Sequence, residues 1–410
     1  MTQCRLCDQE LKQSFCDLGM SPMANSYLAS EQLDRAEVFY PLHAYVCSNC
    51  LLVQLAVFES PEDIFGDYLY FSSYSAHWLE HARTYVREAI QRFDMTDSDQ
   101  VIEIASNDGY LLKNFVAAGI PALGIEPAAN VAAVAVEQGI PTKVGFFGTE
   151  MAAELVAQGV RADLLIGNNV FAHVPNLNDF VAGMAMVLAP EGRVTLEFPH
   201  LYQLIECNQF DTIYHEHFSY FTLLTASAAL EKHGLRVFDV EELPTHGGSL
   251  RVYACPAEAT RYETSERVAD VLRKESAAEL DSFEGHLEYS RQVERVKHDL
   301  LEFLIDARRA GARVAAYGAP AKGNTLLNYC GVRSDLIAYT VDRSPHKQGR
   351  FLPGTHLPIY DPDYLREARP DYIVILPWNL RDEIIADMSF VHDWGGKFVV
   401  PIPTLEVLGV

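Results

Sequence analysis

Positive charge is scarce in this sequence. Its 410 residues hold 32 lysines and arginines against 56 aspartates and glutamates, a formal net charge of −24. A chain this acidic is a poor match for a nucleic-acid backbone or an anionic membrane. A small anionic ligand stays open, because it needs only a local basic patch. No run approaches ~18 consecutive apolar residues, so no membrane-spanning helix is expected. The opening residues, Met1-Thr2-Gln3-Cys4-Arg5-Leu6-Cys7, lack the apolar stretch of a secretory signal. The expected location is therefore cytoplasmic. In that reducing compartment the eight cysteines read as ligands or buried thiols rather than disulfides. No GxxxxGK[ST] phosphate loop, low-complexity segment or short repeat occurs.

What is present is an ordinary globular balance, with about half the residues apolar. At about 150 residues per domain the length suggests two or three domains. Five of the eight cysteines fall in the first ~60 residues. From Val101 onward, short apolar runs alternate with helical stretches. Residues 101–105, 122–126, 163–167 and 193–198 read as strands, and 111–118 and 130–138 as helices. Such alternation implies a parallel sheet covered by helices. Residues 260–310 are dense in charge and nearly free of glycine. Apolar residues such as Val268, Val271 and Leu272 recur there at helical spacing, so one or two long helices are expected. A second alternating block follows, with strands near 313–317, 336–341, 372–376 and 397–400. The division expected is 1–65, 66–258, a helical linker over 259–310, and 311–410. No coiled-coil seam is visible, which favours a monomer.

Cys4-X-X-Cys7 and Cys47-X-X-Cys50 are identical pairs about forty residues apart. Each pair can grip one metal ion through two thiolates, and two pairs complete the closed four-sulfur tetrahedron of structural zinc. The separation is long for zinc pairs, but loop-closure cost grows only logarithmically with length. Cys16 competes as a fourth ligand without a pair partner. Cys207, Cys255 and Cys330 read as packing residues.

Ser106-Asn107-Asp108-Gly109 follows the first strand of the middle block, where doubly wound sheets bind ligands. It is not GxGxxG. Glu103 sits inside that strand. Glu126 ends the next one, where an acid commonly accepts ribose hydroxyls. One glycine among small polar residues suits an adenosyl group without a pyrophosphate, which favours S-adenosylmethionine over a dinucleotide. The run Glu-Ile-Ala-Ser-Asn-Asp-Gly at 103–109, with Gly124-Ile125-Glu126-Pro127, resembles the class I S-adenosylmethionine methyltransferases. Ala105 stands where many relatives have the first glycine. The resemblance implies cofactor contacts from Glu103, Ser106, Asn107, Gly109 and Glu126. Asn168 and Asn169, at the exit of the fourth strand, would also face the cofactor.

Two histidine-bearing segments come next. His173 lies in Asn169-Val170-Phe171-Ala172-His173, just past that strand exit. Tyr214-His215-Glu216-His217-Phe218-Ser219-Tyr220 packs three titratable groups and two phenols into seven residues. Helical HxxxH metal spacing is absent, so acid–base work is the favoured reading, with Glu216 placed to orient a histidine. His246-Gly247-Gly248-Ser249-Leu250-Arg251 joins two strands. Its small residues allow close ligand approach, and Arg251 could meet a phosphate. In the last block, Tyr317-Gly318-Ala319-Pro320-Ala321-Lys322-Gly323 resembles GxGxxG with proline at the middle glycine. Asp342 stands nineteen residues after Gly323, close to the dinucleotide fingerprint. Lys322 at a helix N-terminus and Arg343 nearby could hold phosphates.

In this order, the motifs resemble the three-domain sugar C-methyltransferases that act on nucleotide-linked 4-keto-6-deoxy sugars. The resemblance spans nearly the whole chain. It implies an α/β protein with a small N-terminal zinc-binding domain, a central class I methyltransferase Rossmann-like domain and a second, C-terminal Rossmann-like domain. It also implies a structural zinc, His217 as base, Tyr214 and Glu216 in support, and His173 near the reacting sugar. The C-terminal half would help hold the nucleotide of a dTDP-type keto sugar, through Gly318, Lys322 and Arg343, with His246 and Arg251 as further substrate contacts. The rival readings are an NAD-dependent sugar oxidoreductase using the C-terminal block and a non-catalytic, zinc-headed binding module.

Overall fold

A computed structural model describes residues 3–60, 73 and 76–409. The expected boundary at 65/66 lies outside the described residues. Contacts group the chain into two units, each assembled from separated segments. The first comprises Met1–Leu11, Cys47–His200 and Phe218–Ser282, and the second Lys12–Val46, Leu201–His217 and Phe283–Val410.

The first unit is built on a seven-stranded sheet. Its strands are β1 (Val101–Ile104), β2 (Ala122–Glu126), β3 (Thr142–Val144), β4 (Ala162–Asn168), β5 (Leu188–Pro199), β6 (Leu235–Leu243) and β7 (Ser249–Pro256). They lie in the order β3-β2-β1-β4-β5-β7-β6. Only β7 runs against its neighbours. β1 is buried along its whole length, which is why its sequence lacks alternation: a strand covered on both faces needs apolar residues on both. Among the described residues, seven helices belong to this unit: α1 (Ala76–Phe93), α2 (Leu112–Ala117), α3 (Ala129–Glu137), α4 (Thr149–Ala157), α5 (Leu177–Val187), α6 (Leu223–Glu231) and α7 (Glu266–Ala277).

α1 carries Ala82, Tyr85, Val86, Ala89 and Phe93 at spacings of three and four, and this stripe joins the core with Val101, Leu164 and Ile166. Each such large apolar side chain contributes about 1.5–3 kcal/mol by leaving water. α7 is anchored differently. Its Glu275, 1 % exposed, accepts the Leu223 and Leu224 amides at the start of α6 and the His200 ring 2.7 Å away. A buried carboxylate thus satisfies the amides that a helix N-terminus leaves without partners.

The second unit holds a six-stranded sheet. Its strands are β8 (Val314–Tyr317), β9 (Thr340–Val341), β10 (Ile359–Tyr360), β11 (Tyr372–Ile375), β12 (Lys397–Val400) and β13 (Glu406–Leu408). Their order is β10-β9-β8-β11-β12-β13, parallel except for the last. α8 (Tyr289–Arg309) buries Tyr289, Val293, Val296, Leu300, Leu304 and Ala307 on one stripe. α9 (Ala321–Cys330) starts after Pro320, the helix-entry position where a missing N–H costs nothing. The hairpin Gln13–Ser21/Tyr40–Val46 belongs here, and Phe15 stacks on Tyr289 at 4.8 Å. The helical stretch expected over 260–310 is therefore two helices, α7 in the first unit and α8 in the second.

Candidate functional site

Three constellations hold the expected site residues. The first is the cysteine head. The four Sγ atoms of Cys4, Cys7, Cys47 and Cys50 lie within 4.8 Å of one another. Cys4–Cys50 and Cys7–Cys47 are each 3.5 Å apart. Sulfurs on a tetrahedron with zinc–sulfur bonds of about 2.3 Å would be about 3.8 Å apart, so the donor set fits zinc. The backbone adds an independent test, because both pairs form the same turn. The Cys4 carbonyl accepts the Asp8 amide at 2.9 Å, and the Cys47 carbonyl accepts the Leu51 amide at 3.0 Å. Asp8 and Leu51 both take the left-handed conformation, with φ of 62° and 64°. Gln54 donates to the Cys4 sulfur at 3.2 Å and accepts the Arg5 amide at 2.9 Å, the outer support expected of a thiolate ligand. Cys16 is buried on the strand Gln13–Ser21 and stands outside this group.

The second constellation is at the carboxyl ends of β1, β2 and β4. The loop after β1 takes left-handed φ at Ala105 (55°), Asn107 (49°) and Gly109 (76°). Ala105 adopts the conformation that glycine reaches freely, at a cost of about 1–3 kcal/mol. Gly124 is required on β2, since a Cβ there would lie 2.4 Å from the Ser106 hydroxyl. Glu126 accepts the Asn107 amide at 2.8 Å and the Ala128 amide at 2.9 Å. Burial pushes its carboxyl up, and those amides oppose the shift. Glu103 is fully buried and pushed well up by burial, then by Glu126 and Asp108.

Glu103 Oε2, Ser106 Oγ, Asp108 Oδ1 and Asn168 Oδ1 are buried without hydrogen-bond partners. Native interiors rarely leave several such atoms together. A polar ligand with hydroxyl and ammonium groups would satisfy them, which suits S-adenosylmethionine. Asn169 (φ 52°) and the turn Phe171–His173 follow β4 directly.

Beside this loop lies a network that the sequence reading missed. Glu197 on β5 is fully buried. It meets His81 at 3.0 Å, Arg251 at 2.8 Å and the Thr245 hydroxyl at 3.1 Å. Burial alone would raise its carboxyl, but His81 and Arg251 outweigh burial and hold it at about 2. Its signal in sequence was a lone acid inside an apolar strand, Val194-Thr195-Leu196-Glu197-Phe198. Arg251, expected at a phosphate, is 2 % exposed and committed to Glu197. His246 remains exposed with φ 55° and packs 5.3 Å from Trp78.

The Glu197 carboxylate has a folded pKa below its ordinary 4.5. It therefore stabilises the fold fully above 4.5 and loses that contribution as pH falls towards about 2. Arg251→Met strands a buried carboxylate, so equilibrium unfolding at neutral pH is expected to show a loss of about 3–5 kcal/mol. A variant as stable as the parent would refute the pairing.

The third constellation belongs to the second unit. His217 Nδ1 donates to the Thr212 carbonyl at 2.9 Å, and the Tyr214 phenol meets Nε2 at 2.8 Å. The carbonyl cannot donate, so this geometry fixes the tautomer with its lone pair on Nε2. Glu216 does not orient His217. Its carboxylate takes the Asn25 amide at 2.7 Å, and burial pushes it up to about 6. His215 is pushed down to about 4 by burial and packs edge-on to Tyr40.

The loop after β8 is closed by protein groups. Asp342 accepts the Ala319 amide at 2.7 Å, while the Tyr27 phenol and Lys347 both donate to the Ala319 carbonyl. A Cβ on Gly318 would strike Pro377 at 2.6 Å. Lys322 bonds Asn379 and lies 4.1 Å over the Trp378 ring, and burial pulls it down to about 8. Arg343 is exposed and paired with Glu383 and Asp387.

The first unit thus defines an S-adenosylmethionine-dependent methyltransferase, headed by a structural zinc site. Three family models match successive parts of the chain. "Putative zinc binding domain" covers residues 4–65, "Methyltransferase domain" 78–240 and "C-methyltransferase C-terminal domain" 244–403. C-methyltransferase NovU of Streptomyces niveus is 36 % identical over 406 residues, which is 99 % of this chain and 96 % of that one. The chain belongs to this family of zinc-headed C-methyltransferases.

Two solved structures show weaker likeness. Magnesium protoporphyrin IX methyltransferase of Synechocystis PCC 6803 has 15 % identity over 47 % of this chain and 91 % of its own, with a TM-score of 0.36. A methyltransferase of Clostridium acetobutylicum has 9 % identity over 43 % and 91 %, with a TM-score of 0.35. Likeness at that level carries no inference. No helix among the described residues is long and apolar enough to cross a membrane.

Proposed function

We propose that the enzyme methylates C3, next to the ketone, of a nucleotide-linked 4-keto-6-deoxy sugar, with dTDP as the nucleotide, and that His217 generates the enolate. The observation that carries this reading is the lone pair on His217 Nε2, fixed by the Thr212 carbonyl behind Nδ1. A sugar carbon bearing only hydrogen and hydroxyl is no nucleophile. A neighbouring ketone acidifies its C–H bond, because the charge moves onto the carbonyl oxygen. His217 takes that proton, and the Thr212 carbonyl stabilises the imidazolium formed. The Tyr214 phenol, released from Nε2 as the substrate enters, donates to the enolate oxygen with His173 in support. Bound S-adenosylmethionine supplies the electrophilic methyl group to which the enolate carbon bonds as the sulfur–methyl bond breaks. Holding the reactants in line accounts for much of the remaining acceleration.

In this reading Glu103, Ser106, Asn107, Gly109, Glu126, Asn168 and Asn169 hold the methyl donor. Lys322, with Gly318, Arg343 and His246, contacts the sugar nucleotide. An NAD-linked reaction at the β8 loop has less support, because Pro320 stands where the dinucleotide fingerprint has its middle glycine. With the Ala319 N–H held by Asp342, the dTDP phosphates would meet the Lys322 and Arg343 side chains instead of that amide. Incubation with S-adenosylmethionine and a dTDP-4-keto-6-deoxy sugar is expected to give a product one methylene heavier, carrying a new methyl carbon at C3 by NMR. Reduction of the ketone with NADH and no methyl gain would overturn the assignment.

A further inference from the structure

Asp211 is a buried acid that the proposed chemistry does not use. It has no exposed surface. Its Oδ2 accepts the Trp378 indole N–H at 2.8 Å, and its Oδ1 is buried without a hydrogen-bond partner. A carboxylate so placed is a poor stabiliser, since an apolar side chain of similar size would do as well or better. Its neighbours in sequence suggest another use. Asp211 is the central residue of the turn Phe210–Thr212, and Thr212 supplies the carbonyl on His217 Nδ1.

We propose that Asp211 is a positioning residue for His217: clamped by Trp378, it fixes the turn whose Thr212 carbonyl sets the tautomer and aim of the imidazole. The inference rests on His217 being the base. Three further contacts hold the same segment. Thr325 on α9 donates to the Ile213 carbonyl at 3.2 Å, Phe210 meets the Tyr329 ring edge-on at 5.4 Å, and the Ile213 amide bonds the Phe210 carbonyl at 2.9 Å. These shape the segment without reaching the acid. Among the described residues, the Asp211–Trp378 bond is the side-chain hydrogen bond that ties the middle of the turn to the second sheet's flank. Lys322, from α9, is the charged group that faces Asp211, and it also covers the Trp378 ring. One indole therefore links the base's turn to the candidate phosphate-binding lysine. Burial pushes the Asp211 carboxyl up to about 7, against the pull of Lys322 and Trp378.

The test uses full-length, zinc-loaded enzyme carrying Asp211→Ala or Trp378→Phe. The second change removes the indole N–H together with the five-membered ring while keeping an aromatic side chain, and gives a second, independent break of the same bond. Two rates are read: kcat for methyl transfer, and exchange of the sugar C3 hydrogen with D2O in the presence of S-adenosylhomocysteine. Exchange reports proton removal alone. Both rates are expected to fall together, by about tenfold to 10²-fold, the cost of a misplaced catalytic group. In Asp211→Ala, KM for both substrates and affinity for S-adenosylhomocysteine should stay at parental values. In Trp378→Phe, which also alters the ring under Lys322, S-adenosylhomocysteine affinity should stay parental and exchange is read at saturating sugar nucleotide. Parental exchange in both variants overturns the inference, as does a fall in exchange that only follows lost substrate binding. His217→Ala is run in parallel. If it exchanges normally, the base assignment itself has failed; if it is inert while the other two are normal, only the role of Asp211 has failed.

Discussion

His217→Ala is expected to lower kcat for methyl transfer by about 10²- to 10⁴-fold, the range general bases contribute. S-adenosylhomocysteine affinity should be unchanged, because every group expected at the methyl donor lies on the other unit's sheet and loops. The loss should not reflect unfolding. The ring makes one bond to the Thr212 carbonyl and one to the Tyr214 phenol, and a net hydrogen bond is worth about 1 kcal/mol. His217→Asn keeps a polar side chain there yet has no basic nitrogen, so it should be as inactive as alanine. Tyr214→Phe should be milder, since it removes the enolate donor and leaves the base. Steady-state kinetics with calorimetric titration of S-adenosylhomocysteine checks all three. Parental kcat in the alanine variant would remove His217 as the base.

Loss of the metal should lower activity only through the fold, with no part for the ion in the reaction. The purified enzyme is expected to hold one zinc ion per chain. Cys47→Ser, or prolonged chelation, should melt the segment around the two cysteine turns. Structural zinc contributes about 10–16 kcal/mol in isolated fingers, as much as or more than the 5–15 kcal/mol that stabilises a whole domain. The site leaves no open position: four sulfurs occupy it and Gln54 backs one of them. A closed site of that kind does not bind a reacting group. Limited proteolysis should then cut within residues 3–60 in the apo protein and not in the parent. Cadmium, which also favours four thiolates, should restore protease resistance and full kcat. Activity that tracks metal identity would place the ion in the reaction and contradict the proposed enolate chemistry.

Much of this molecule could be read along the chain. The two Cys-X-X-Cys pairs announced a four-sulfur site, because two thiolates so spaced can grip one ion. The strand at Val101–Ile104 and its loop were visible as an apolar run ending in small polar residues, and the density of Tyr214 to Tyr220 stood out by composition. Glu216 illustrates the limit. Adjacent in sequence to His217, it looked like the group that orients it. In the structure its partner is Asn25, 191 residues away, and a backbone carbonyl five residues before His217 does the orienting. Arg251 shows the same limit from the other side. A lone arginine near a glycine pair in an acidic chain suggested an anion outside, but the anion is Glu197, inside the same sheet, on the neighbouring strand.

The sequence by itself determined the four cysteines that come together, the alternation behind the two mostly parallel sheets, and the segments to which the chemistry is assigned in the proposed function. Those are local properties, set by spacing, side-chain volume and backbone preference over a few residues. Only the tertiary structure decided which polar group meets which: Glu197 with Arg251 and His81, Asp211 with the Trp378 indole N–H, and the Thr212 carbonyl with His217. A side chain's partner depends on which faces of distant elements meet. In a buried site each polar group must find a partner or carry the full cost of leaving water.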